Sequence, residues 1–223
     1  MQPQDISQYW NKVYDQFTQD RSVWREGATP FFIEKIPFLQ YRGDSRILFG
    51  GCGDGRNMLP FATEGFECWG VDASQSGLER ARTRLGMHES RLIHAHLDDT
   101  GISDESIDGI VCDFVMEHLE KPVPVIKEYH RMLKPGGLAM LEFKTHNDPQ
   151  YGTGERINDD EWIQDEIYVR YHTLAQIKQL LRGFRILRVD NRQYTDPPHG
   201  PGYHRKERHT HDSYFVLAEK IEK

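Results

Sequence analysis

Arg46-Ile47-Leu48-Phe49-Gly50-Gly51-Cys52-Gly53-Asp54-Gly55-Arg56-Asn57 decides the reading of this chain. Arg46 to Gly50 is a short apolar run of the kind that forms a buried strand, and a glycine-rich turn leads from it into a helix predicted over 56–63. Glycines in a strand-to-helix turn let backbone approach a ligand closely, while the helix behind them presents unpaired N–H groups. Such turns also serve plain packing. The balance shifts at Asp72, which closes a second predicted strand (67–71) within Gly70-Val71-Asp72-Ala73-Ser74. A carboxylate there can accept hydrogen bonds from both hydroxyls of a ribose, or it can simply cap the next helix. Turn and carboxylate together point to a nucleoside-containing ligand.

Outward from this stretch, apolar runs alternate with helix-compatible segments from Ser45 to Phe143, which predicts a parallel sheet with crossover helices. Further strands are expected at 92–97, 107–112 and 138–143, with helices at 76–85 and 123–132, the second ending at Lys134-Pro135-Gly136-Gly137. A capped helix at 173–181 and strands at 185–189 and 214–218 complete seven strands. Ile6, Tyr9, Trp10, Val13, Tyr14 and Phe17 fall at helical spacing, so an amino-terminal helix should pack back on the domain. The polar stretches 144–170 and 191–212 read as long loops, the usual place for lids and binding segments. The expected organisation is a single α/β domain over 1–223. It comprises an N-terminal helical cover (1–40), a cofactor-binding core (45–143) and substrate-side insertions (144–172 and 191–212).

Composition narrows the partners. Twenty-eight Lys and Arg against 35 Asp and Glu give a formal net charge of -7, which argues against nucleic-acid backbones and anionic membranes. No apolar run is long enough for a membrane span, and the start of the chain lacks the pattern of a signal peptide, so a cytoplasmic protein is expected. Cys52, Cys68 and Cys112 have no metal-ligand spacing and read as reduced, packed thiols. Dinucleotide folds place the third glycine one residue later, and Asp54 beside the helix start would repel a pyrophosphate. A phosphate-free nucleoside such as S-adenosylmethionine avoids that repulsion.

Four ordered stretches carry a family resemblance: Ile47 to Asn57 (ILFGGCGDGRN), Gly70 to Ser74 (GVDAS), Ile107 to Leu119 (IDGIVCDFVMEHL) and Arg131 to Phe143 (RMLKPGGLAMLEF). The chain resembles the class I S-adenosylmethionine-dependent methyltransferases. The resemblance implies a Rossmann-like, doubly wound, seven-stranded sheet with an antiparallel last strand and helices on both faces. It implies a glycine turn beneath the methionine part of the cofactor, Asp72 on the ribose, the third-strand turn around adenine and the fourth-strand segment facing the reacting methyl. The implied cofactor-binding set is Gly51, Cys52, Gly53, Gly55, Asn57, Asp72, Ala73, Leu97, Asp98, Asp113 and Phe114, with His96 competing with Asp98 for adenine. One departure is Phe49-Gly50, where family members usually carry an acid.

Methyl transfer from a sulfonium needs alignment and exclusion of water, and a base only when the nucleophile enters protonated. His146, opening the polar insertion, and His118, in the fourth-strand segment, are the candidate catalytic residues; for His118 a loop-fixing hydrogen bond is the competing role. His199, His204, His209 and His211 form no compact tetrahedral pattern and are interleaved with Arg205, Lys206 and Arg208, so no metal site is predicted. That segment is instead a solvated loop or a cationic grip on an anionic substrate. Tyr9, Trp10, Tyr14 and Trp24 are either core or an aromatic cover over the sulfonium. The expected activity is methylation of an O, N or S atom of a small molecule. The alternatives are a non-catalytic S-adenosylmethionine-binding partner subunit and a nicotinamide-dependent oxidoreductase. Trp24 to Phe31 is similar to the amino-terminal region of thiol and thiopurine methyltransferases, which implies a soft nucleophile.

Overall fold

The computed structural model describes residues 5–16, 27–88, 90–198 and 207–221. Its centre is a seven-stranded sheet. Strands β1 (Arg46–Gly50), β2 (Glu67–Asp72), β3 (Ser90–His94), β4 (Ile107–Cys112), β5 (Leu133–Lys144), β9 (Phe184–Asp196) and β10 (His209–Lys220) lie in the order β3-β2-β1-β4-β5-β10-β9. The first five pair in parallel, and β10 runs antiparallel to both β5 and β9. Every residue of β4 is buried, as a parallel strand covered on both faces should be.

The crossover helices are α4 (Met58–Thr63), α5 (Gln75–Leu85) and α6 (Pro122–Met132), with α7 (Leu174–Leu180) leading into β9. Ser74 caps α5 by accepting from the Gly77 N–H at 3.0 Å, and Thr173 with Gln176 forms a reciprocal capping box on α7. Two short helices, α2 (Pro30–Ile33) and α3 (Ile36–Arg42), pack Phe31, Phe32, Ile36 and Leu39 against Ile47, Phe49 and Phe215 of the sheet. The expected cover at 1–40 therefore divides: α1 (Ile6–Asp15) roofs the site, while α2 and α3 seal a sheet face.

Three expectations about loops are corrected. α6 ends at Met132, as expected, but Lys134-Pro135-Gly136-Gly137 forms no turn between elements. It bulges within β5, whose ladder to β4 jumps from the Ile107–Leu133 pair to Gly109–Leu138. The polar stretch 144–170 contains a small antiparallel sheet, β6 (Glu155–Arg156), β7 (Glu161–Gln164) and β8 (Ile167–Arg170). Most of 191–212 that is described is strand: β9 continues to Asp196 and β10 begins at His209, with the Tyr194–His211 pair in register. Alternating exposure along β9 hides this from a hydropathy reading. The third strand also sits earlier than expected, at 90–94, which puts Ala95 to Asp98 in the turn beyond it.

α1 is anchored at several points. Asn11 Oδ1 accepts from Ser74 Oγ at 2.8 Å and from the Ser76 N–H at 3.1 Å, Arg80 donates to the Tyr14 carbonyl at 2.9 Å, and Tyr9 donates to the Asp165 carbonyl at 3.2 Å. Tyr9, Val13 and Tyr14 share a small core with Ile167, Val169 and Tyr171. Phe17 and Trp24 lie outside the described residues.

Candidate active site

A cavity of about 1490 Å³ opens at the carboxyl edge of the parallel strands, where open α/β sheets hold ligands. One end is formed by Gly51, Cys52 and Gly53 after β1, Asp72 and Ala73 after β2, and His96, Leu97 and Asp98 after β3. The other end is formed by Glu117, His118, Lys144, Asp196 and His211. Ile6, Tyr9, Trp10 and Tyr14 of α1 and Gln164, Tyr168 and Arg170 of the small sheet close the remaining sides.

The glycine turn is built for tight approach. Gly51 and Gly53 have φ of +66° and +50°, backbone that L side chains rarely adopt. A Cβ on Gly53 would lie 2.1 Å from the Tyr14 hydroxyl, and one on Gly51 would lie 2.3 Å from a Val115 methyl. A side chain on Gly53 would therefore meet α1 before it reached ligand space. Asp72 locks the turn by accepting from the Gly53 N–H at 2.7 Å and the Ser74 N–H at 2.8 Å. Its burial pushes its carboxyl above the ordinary range against those two hydrogen bonds.

Other expected contacts behave differently. Gly55 does not line the cavity; its φ of +76° and the Ala81 Cβ, 3.1 Å from where its own would lie, make it the close-packing point between the turn and α5. Asn57 and Asp113 line the cavity but are held by protein groups. Asp113 Oδ2 accepts from Arg56 at 2.5 Å, Thr29 Oγ1 at 2.6 Å and Asn57 Nδ2 at 2.8 Å, and Asn57 Oδ1 accepts from the Thr29 N–H at 2.8 Å. Despite burial, the Arg56 guanidinium and these hydrogen bonds hold the Asp113 carboxyl below its ordinary range. Asp54 is paired with Arg84 at 2.7 Å, so its charge is compensated and the sequence argument from repulsion of a pyrophosphate loses its force.

Phe114 carries φ of +57°, an unusual backbone for an aromatic residue. Its N–H donates to Glu142 Oε2 at 3.0 Å, and Tyr194 donates to Glu142 Oε1 at 2.6 Å. Burial, reinforced by Asp113 and Glu117, pushes the Glu142 carboxyl well above its ordinary range.

The expected catalytic histidines separate. His146 does not line the cavity: Nε2 meets Asp160 Oδ1 at 2.8 Å and the ring packs on Tyr151 and Tyr171, so its nomination as base is corrected. His118 does line it, with Nδ1 2.9 Å from the Tyr168 carbonyl and its ring edge-on to Trp10. It ties the fourth-strand segment to the small sheet.

Glu117 falls in the fourth-strand segment that sequence reasoning marked, but was not singled out there. It is buried, lines the cavity, and its Oε2 has no hydrogen-bond partner among the described residues. Burial outweighs the Lys144 ammonium and pushes its carboxyl up to about 7. Also missed is the cluster around His211, whose Nδ1 lies 3.2 Å from Asp148 Oδ2 and Nε2 3.9 Å from Asp196 Oδ2. Potential ligand atoms of Asp196, His209 and His211 fall within 4.8 Å of one another, a grouping that pairing of two strands creates and spacing along the chain conceals. His199 and His204 lie outside the described residues.

Residues 48–141 match the family model described as a methyltransferase domain. The chain is 27% identical over 128 residues to a ubiquinone biosynthesis O-methyltransferase of Rickettsia akari, covering 56% of this chain and 51% of that one. It is 25% identical over 183 residues to the uncharacterised methyltransferase YcgJ of Bacillus subtilis, covering 80% and 71%. The chain spans about half the length of the ubiquinone-biosynthesis relatives it matches. Among solved structures, magnesium protoporphyrin IX methyltransferase of Synechocystis with bound S-adenosylhomocysteine aligns with a TM-score of 0.65 at 17% identity, covering 96% and 97% of the two chains. A structure from work on conversion of a disulfide bond into a thioacetal group during echinomycin biosynthesis aligns with a TM-score of 0.73 at 16% identity, covering 97% and 92%. Residues 48–141 thus match a methyltransferase domain, and the chain shares its fold with solved structures of S-adenosylmethionine-dependent methyltransferases.

Proposed function

We propose that this chain binds S-adenosylmethionine at the Gly51–Asp72 end of the cavity and methylates a small molecule admitted at the Glu117–His211 end. The observation that carries the reading is the continuity of one cavity from the glycine turn to a polar far end. The residues fit the cofactor. Two left-handed glycines expose backbone to the cavity, Asp72 can accept from ribose hydroxyls, and Leu97 and Asp98 flank the space for adenine. When bound, the cofactor supplies a methyl group already activated on a sulfonium. The protein has to position the acceptor and keep water out, and α1 with the small sheet serves as the cover.

Named relatives support a small acceptor: they act in ubiquinone biosynthesis, and a structural neighbour methylates N1 of a didemethyltoxoflavin. No helix among the described residues is long and apolar enough to cross a membrane. Calorimetry with S-adenosylmethionine and S-adenosylhomocysteine tests the reading. Both should bind at one site per chain, and Asp72→Ala should weaken both by about 1–3 kcal/mol through lost ribose hydrogen bonds and a loosened turn. Equal affinity in the variant would put the ribose elsewhere.

A further inference from the structure

His211 lines the cavity beyond the turns after β1 to β3 and is held there by a buried carboxylate. β10 runs antiparallel to β5, so its first residues lie beside the carboxyl end of β5, at the same edge as the glycine turn. The His211 side chain is 4% exposed and lines the cavity. Its ring lies 5.5 Å, edge-on, from Phe114, the second residue after β4, which also lines the cavity. Nδ1 lies 3.2 Å from the carboxylate of Asp148, whose side chain is completely buried. Asp148 is fixed in turn by N–H groups of Gln150 and Asp212 at 2.9 and 3.2 Å. A buried carboxylate on one imidazole nitrogen sets the tautomer and turns the other nitrogen to the reacting group.

We propose that His211, positioned by Asp148, is the general base of this enzyme and that its acceptor is a phenolic or enolic hydroxyl. The inference rests on the methyltransferase reading above. A hydroxyl enters protonated and needs a base as its oxygen attacks, whereas an amine or thiolate does not need one held this way. The balance is simple: the hydroxyl proton goes to His211 Nε2, oxygen forms its bond to the methyl carbon, and the electron pair of the broken carbon–sulfur bond stays on sulfur. His211 is faced by Asp148 from the segment after β5, by Asp196 and Tyr194 from β9 and by His209 on its own strand, with Glu142 and the Lys144 ammonium on β5 beyond. The acidic neighbours stabilise the imidazolium that forms.

The test uses the full chain with phenols of graded acidity, from 4-methylphenol to 4-nitrophenol, and with 4-methylthiophenol and 4-methylaniline as sulfur and nitrogen counterparts. His211→Gln should lower kcat on 4-methylphenol by about 100-fold or more, the usual scale of general-base catalysis, and far less on the readily ionised 4-nitrophenol. Asp148→Asn should lower kcat on 4-methylphenol and largely spare 4-nitrophenol, because the imidazole loses the carboxylate that orients it. A readout independent of turnover is the absorbance of 4-nitrophenol on the S-adenosylhomocysteine-saturated protein at pH 6. Wild type should bind it as phenolate and His211→Gln as phenol. Equal ionisation in the two proteins, equal loss of kcat across the phenols, or turnover confined to the thiol or amine would overturn the proposal. So would loss of activity to a chelator with recovery on Zn²⁺ or Mn²⁺, which would make His211 a metal ligand together with His209 and Asp196. Failure of S-adenosylhomocysteine to bind would strike the functional reading itself, while the absorbance of 4-nitrophenol on the protein alone, compared between wild type and His211→Gln, would still report on His211.

Discussion

Gly53 shows how one missing side chain serves two neighbours. Its left-handed backbone aims the N–H at Asp72, and the space where a Cβ would sit is taken by the Tyr14 hydroxyl. Gly53→Ala should therefore loosen α1 as well as the turn. In a Tyr14→Phe background its cost should shrink but not vanish, because the strain of a left-handed alanine, about 1–2 kcal/mol, remains. A double-mutant cycle by urea unfolding measures this, and additive losses would deny the contact. Glu117 makes a second residue-scale prediction. Folding raises its carboxyl from 4.5 to about 7, so the folded chain holds a proton that the unfolded chain releases. That component of stability is present at low pH and is lost as pH rises through this window. Glu117→Gln should flatten the decline in unfolding midpoint between pH 4.5 and 7, and parallel declines in the two proteins would contradict the assignment.

At the scale of elements, the buried Arg56–Asp113 pair joins the turn after β1 to the end of β4, and Thr29 links both to the start of α2. Arg56→Leu would strand a buried carboxylate and should cost about 3–5 kcal/mol by denaturant unfolding, while Arg56→Leu with Asp113→Leu should cost less than the single change. A loss under 1 kcal/mol in the single variant would mean the pair is not the clasp described. This clasp was not legible in the chain: Asp113 belongs to a recognisable motif, but nothing in the spacing of Thr29, Arg56 and Asn57 announces that all three converge on it. The central strands and helices were legible, since parallel strands buried on both faces read as apolar runs and Ser74 and Thr173 mark helix starts. β9 beyond Val189 was not, because an edge strand with one face in solvent looks like a polar loop until its partner is known. The small sheet β6–β8 escaped for the same reason, its strands being only two to four residues long.

The molecule as a whole assembles its cavity from widely separated parts of the chain: α1, the turns after β1 to β4, the small sheet and the β9–β10 hairpin. The end proposed for the cofactor comes from ordered motifs in the first half of the sheet, and such motifs are legible along the chain. The acceptor end comes from single residues that topology brings together, among them Glu117, Lys144, Asp196 and His211, and no local pattern predicts their company. That division explains why His146, well placed along the chain, turns away to Asp160, while His211, expected in a loop, faces the cavity. The measurement that bears most directly on this account is a crystal structure of the full chain with S-adenosylhomocysteine. The account predicts ribose hydroxyls on the Asp72 carboxylate, adenine beside Leu97 and Asp98, and sulfur beside Phe114, facing the Glu117–His211 end. A ligand bound outside this cavity, or seated with its adenosine at the His211 end, would contradict it.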